Sequence, residues 1–119
     1  MSENVILKKT FALAVESVKV SRALQAEKKE FIISKQLIRS GTSVAAMVRE
    51  AQQAESKADF IHKMSVALKE ANETEYWLEL LAATDLDKGI DVAPITTALK
   101  ESVKMLTSIV KTSKANLKK

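Results

Sequence analysis

Apolar side chains recur along this chain at alternating three- and four-residue steps, the signature of one face of an α-helix, and polar breaks interrupt the pattern three times. The spacing predicts four helices, over about residues 5–26, 31–54, 57–84 and from just after Asp91 to about 115, with 116–119 fraying. Their expected core lines are Leu7, Phe11, Ala14 and Val18; Ile33, Leu37, Val44, Val48 and Ala51; Phe60, Met64, Ala67, Ala71 and Leu78; and Ile95, Leu99, Val103, Leu106 and Val110. Local chemistry marks the ends. Asn4 can cap the first helix, and the run Glu27-Lys28-Lys29-Glu30 closes it. Ser56 followed by Asp59 makes a capping box with aspartate in place of the usual Glu or Gln. Gly89 can take a left-handed turn conformation, Asp91 can cap the last helix, and Pro94 falls in its first turn, where a missing amide breaks no bond. Rods of this length on short connections must lie side by side antiparallel. The expected fold is therefore all-α, one antiparallel up-down-up-down four-helix bundle over residues 1–119.

Two features do not fit a plain bundle. Gly41 sits inside the second helix, where glycine costs about 1 kcal/mol relative to alanine, yet the apolar spacing stays in phase on both sides. Close approach of another backbone explains it better than a break. The first helix also carries a second apolar line, Ile6, Leu13, Val20 and Leu24, turned about 140° from the first at 100° per residue. Phe31, Ile38 and Ala45 make a similar side line on the second helix, and Trp77, Leu80 and Leu81 widen the apolar sector of the third. A wide core could absorb these residues, but two separated stripes on one helix favour packing against another copy of the chain. Ile6, Leu13, Val20, Leu24, Phe31 and Ile38 are thus the candidate interface.

Composition narrows the chemistry. Two glycines and one proline in 119 residues argue against a β-rich fold, and the absence of cysteine excludes disulfides, thiolate metal sites and a cysteine nucleophile. No leader pattern and no long apolar run is present, so the expected location is the cytoplasm, with no membrane contact. The net charge of +4 is unevenly placed, at +3 over residues 1–29, 0 over 30–56, −2 over 57–84 and +3 over 85–119. From Val103 onward there are five lysines, Lys104, Lys111, Lys114, Lys118 and Lys119, and no acid. They can complement a helix C-terminus or contact phosphates. Lys8, Lys9, Lys28 and Lys29 form a second candidate group. With five aromatic residues, mostly at core spacing, base stacking has little to work with, so nucleic-acid contact would be electrostatic.

Catalytic constellations fail on count. His62 has Asp59 one turn before it, but one carboxylate-x-x-His step is half of a bundle metal site. Glu70 and Glu73 could hold magnesium only with a facing acidic pair, and helix 4 offers Glu101 alone, helix 2 only Glu50 and Glu55. Pairing with Arg22, Arg39 or Arg49 is the simpler fate of these carboxylates. Without a glycine-rich loop or a second histidine, the serines lack an activating base. No enzyme, metal or cofactor is expected.

The segments Gln36-Leu37-Ile38-Arg39-Ser40-Gly41-Thr42-Ser43-Val44, Arg49-Glu50-Ala51, Asp59-Phe60 and Ala67-Leu68-Lys69-Glu70-Ala71-Asn72-Glu73-Thr74-Glu75-Tyr76-Trp77-Leu78 resemble the bacterial four-helix-bundle family, also called the ribosomal-RNA intervening-sequence protein family. Met47 and Ala51 stand where many members have asparagine and glycine. The resemblance implies an antiparallel bundle assembling as a homopentamer. A related branch, the accessory proteins of diversity-generating retroelements, binds nucleic acid and a reverse transcriptase. It supplies no catalytic residue; Arg39, Ser43, Glu50, Glu70, Glu73 and Trp77 are the matching positions, expected to stabilise packing between helices or protomers. The functional expectation is a non-enzymatic, homo-oligomeric accessory protein that binds RNA or DNA, with a nucleic-acid-processing protein as a further partner; a protein–protein interaction scaffold without nucleic-acid binding is the alternative.

Overall fold

A computed structural model describes residues 4–117, and among these the chain forms four helices and no strand: α1 (Val5–Lys28), α2 (Ile33–Ala51), α3 (Lys57–Ala83) and α4 (Ala93–Leu117). Consecutive helices touch, α4 returns to α1, and the diagonal pairs do not meet. The result is an antiparallel square bundle 51 Å long. Lys118 and Lys119 lie outside the described residues.

The ends differ from expectation for local reasons. Lys29 takes a left-handed conformation at φ 54°, and its amide closes α1 on the Leu24 carbonyl. The Glu30 carboxylate then accepts from the amides of Ile32, Ile33 and Ser34 at 3.1, 3.0 and 2.7 Å, so α2 starts at Ile33 and Phe31 and Ile32 stay in the turn. Residues 52–54 close on carbonyls three residues back, which ends α2 at Ala51. Asn4 does not cap α1 with its side chain; its amide donates to Gln52 Oε1 at 2.8 Å and ties the start of α1 to the end of α2. The α3 box does form. Ser56 Oγ accepts from the Asp59 amide at 3.0 Å, and Asp59 accepts in return from the Glu55 amide at 3.1 Å. Gly89 has φ 82°, and Asp91 Oδ1 accepts from the Ala93 amide at 3.1 Å.

The largest correction concerns α1. Ile6, Leu13, Val20 and Leu24, expected at an interface, are the α1 contribution to the core, with Leu13 and Leu24 wholly enclosed. The line Leu7, Phe11, Ala14 and Val18, expected inside, is half-buried, and Phe11 is 54% exposed. Thr10, Ser17 and Ser21 decide this. They fill the gaps between the four aliphatic residues and are themselves buried, because the Thr10 and Ser17 hydroxyls donate to the Ile6 and Leu13 carbonyls at 2.8 Å and Ser21 to the Ser34 carbonyl at 3.0 Å. Once those hydroxyls are satisfied within the bundle, their small volume lets α2 approach. A Cβ on Gly41 would lie 2.6 Å from Ser17 Cβ, so the glycine marks close helix contact as its phase suggests.

Candidate nucleic-acid interface

The core side of α4 is set by Ile95, Ala98, Leu99, Ser102, Leu106 and Val110. At about 100° per residue, Lys104 and Lys111 project almost opposite to that side, with Lys100 close to their line and Lys114 at its edge. All four are exposed. Lys100 lies outside the basic run expected from Val103 onward because Glu101 interrupts it, and its four-residue step to Lys104 is the sequence signal that places it on the same line.

Lys9 Nζ lies 3.0 Å from Glu101 Oε1, which fixes α1 against α4. Below that point α4 continues for 16 residues and α1 for four, so at 1.5 Å per residue α4 overhangs the start of α1 by about 18 Å. Lys111 and Lys114 stand on the overhang. There α4 is backed by the start of α3, with a cleft of about 210 Å³ lined by Lys57, Phe60, Ile61, Ser113 and Asn116. The second lysine group does not hold together. Lys8 and Lys9 are near this end, whereas Lys28 and Lys29 are about 30 Å away at the other end of α1.

Four of the six family-matching residues gather across α2 and α3. Arg39 places one guanidinium nitrogen 3.3 Å from Glu70 Oε1 and another against Glu73 Oε2, and Trp77 Nε1 donates to the same Glu73 oxygen at 3.1 Å. Ser43 donates to the Arg39 carbonyl at 2.7 Å. Glu50 is exposed and apart, 11 residues further along α2. Below the salt bridge, Thr74 Oγ1 lies 2.8 Å from Ser40 Oγ and from the Glu70 carbonyl, so the two helices also join by a buried hydroxyl pair. The Trp77 hydrogen bond, followed by the Arg39 bond, holds the Glu73 carboxyl below its usual range against the opposing effect of burial. The Glu73 bond in turn raises Arg39. The E-x-x-E pair is therefore occupied by a guanidinium. Among the described residues no His, Cys, Asp and Glu side chains form a group that could hold a metal ion. Asp59 is also lowered, by the Glu55 amide first and by Lys63, whose Nζ is 3.1 Å away.

These shifts set a sign for acid stability. A carboxylate whose pKa is depressed by folding stabilises the protein above its unfolded value, about 4, and loses that contribution as pH falls through the lower folded value. Thermal melts from pH 7 to pH 3 should therefore show a falling Tm, and Glu73→Gln should flatten the decline. An unchanged slope in the variant would remove Glu73 from the account. Arg39, being raised, contributes below its unfolded pKa and adds no pH dependence in that window.

Of the candidate interface residues, Phe31 is 52% exposed and Ile38 is half-buried, so these two remain on the outside. Tyr76 is exposed too, its ring edge-to-face with Trp77 at 4.9 Å. No helix among the described residues is long and apolar enough to cross a membrane.

Residues 2–108 match the family described as 23S rRNA-intervening sequence protein. A crystal structure of a protein of unknown function from the S23 ribosomal protein family of Bacteroides thetaiotaomicron is 49% identical, with a TM-score of 0.84 over 89% of this chain and 98% of that one. No curated protein matches the chain.

Proposed function

The chain belongs to the 23S rRNA-intervening sequence protein family, and from that membership together with the α4 lysine line we propose that it is a non-enzymatic, self-associating bundle that holds RNA or DNA by its phosphates. The observation that carries this reading is the outer face of α4. Lys100, Lys104, Lys111 and Lys114 are exposed, make no ion pair among the described residues, and follow one another at rises of about 6, 10 and 5 Å. A linear array of mobile ammonium groups suits a phosphate backbone and reads no base sequence. Self-association is supported by the apolar line of α1 that the core leaves outside, above all Phe11. Repeating the lysine face in several copies multiplies a charge that is modest in one. In this role the protein is an accessory to a larger nucleic-acid-processing assembly, and a homopentamer is the form that the family resemblance implies.

Binding to a mixed-sequence oligonucleotide should fall steeply with salt. Four lysine–phosphate contacts per chain give a slope near −3 in log affinity against log salt, or about a 60-fold loss between 50 and 200 mM. Replacing Lys104, Lys111 and Lys114 by glutamine should cut that slope by about two and leave the fold intact. Absent binding at low salt rejects the reading and leaves the alternative, a scaffold that docks proteins through its exposed apolar residues, with the lysines serving solubility.

A further inference from the structure

Resting on the self-association reading, we propose that neighbouring copies join through two unlike faces that share α2, the α1–α2 face of one copy against the α2–α3 face of the next. Because α2 and α4 occupy opposite corners of the square, this contact turns α2 inward and leaves the α4 lysines around the outside. Both faces carry apolar side chains that the bundle does not enclose. The first has Phe11 with half-buried Leu7, Val18 and Ile38; the second has half-buried Met47, Val66, Trp77 and Leu80.

Their charges are opposite. Exposed Arg22 and Arg49 flank the first face, make no ion pair among the described residues, and have no acid beside them on that side of either helix. The second carries Glu50, Glu70 and Glu73 against Arg39, with Lys69 at its outer edge. Like faces would repel, whereas unlike faces attract. A second copy of this chain supplies that complement without any other partner.

Heights along the bundle agree as well. Ser17 opposes Gly41 and Ser40 opposes Thr74, which brings Phe11 level with Met47 and Val18 level with the turn before Trp77. Arg49 and Glu50 are consecutive on α2 and project about 100° apart, one into each face. Rotation about an axis parallel to the helices preserves height, so Arg49 of one copy meets the next copy's Glu50. Two faces sharing one helix diverge by about a right angle, so repeating that turn closes a ring instead of extending a filament.

The test is gel filtration with light scattering at micromolar concentration on the full chain, with helix content by circular dichroism checking each variant. Phe11→Asp with Arg49→Glu blocks the first face; Glu50→Arg with Leu80→Asp blocks the second. Each double variant alone should be monomeric. Mixed in equal amounts they should form a 1:1 dimer and stop there, since each retains one working face. Arg49→Glu alone should weaken assembly at least tenfold, and adding Glu50→Arg to the same chain should restore it. Assembly of either blocked variant, or a mixture that stays monomeric, overturns the unlike-face contact while leaving self-association standing. A monomeric wild type overturns both.

Discussion

Replacing Leu13 by alanine will destabilise the folded chain by about 2–5 kcal/mol, the range for a leucine removed from an enclosed site that cannot collapse around the cavity. Leu13 has no exposed surface and packs in the same cluster as Leu37, Val44 and Leu106. Against a total stability of about 5–15 kcal/mol for a domain of this size, such a loss is visible in any urea titration followed by helix signal. Phe11→Ala is the control. Its side chain is more than half exposed, so the same titration, run at a concentration where the variant is monomeric, should move by less than about 1 kcal/mol. The contrast tests the reversal of the two α1 lines directly. Equal losses at the two positions, or a larger loss at Phe11, would return Leu13 to the surface.

Gly41→Ala should lower the stability even though alanine is the better helix former. The substitution gains about 1 kcal/mol of helix propensity, but its new methyl group would stand 1.9 Å from Ser17 Oγ and 2.6 Å from Ser17 Cβ. The hydroxyl can rotate away; the Cβ is fixed to the α1 backbone, so the helices must separate. Overpacking of this kind costs about 1–3 kcal/mol, which leaves a net loss of up to about 2 kcal/mol, or as much as roughly 10 °C in Tm. Combining it with Ser17→Gly removes the collision and should recover more than the separate effects allow. A double-mutant cycle with zero coupling, or a stabilised Gly41→Ala, would show that the two backbones are not in contact.

The candidate sites were legible to different depths. Lysines are easy to count, and the outer face of α4 follows from helical spacing once the core side is known. A tally of lysines does not show that Lys28 and Lys29 sit a full helix length from Lys8; the rise of about 1.5 Å per residue along one continuous helix between them does. The Glu70 and Glu73 pair was visible as a pattern, and three arginines were available to meet it. Only the packing of α2 on α3 selects Arg39, and only the same packing lets Trp77 share Glu73.

Four helices, their antiparallel order and the special place of Gly41 were determined by the sequence alone, because periodicity, caps and short connections act locally and leave few arrangements for rods of this length. The tertiary structure decided which side of α1 is the inside. A serine or threonine reads as a polar interruption until its hydroxyl finds a carbonyl one turn back, and then its small size becomes the reason a neighbouring helix can approach. With Thr10, Ser17 and Ser21 buried, Ile6, Leu13, Val20 and Leu24 must go in and Phe11 must stay out. Burial is a property of what surrounds a residue, so no reading of α1 by itself could choose between its two apolar lines.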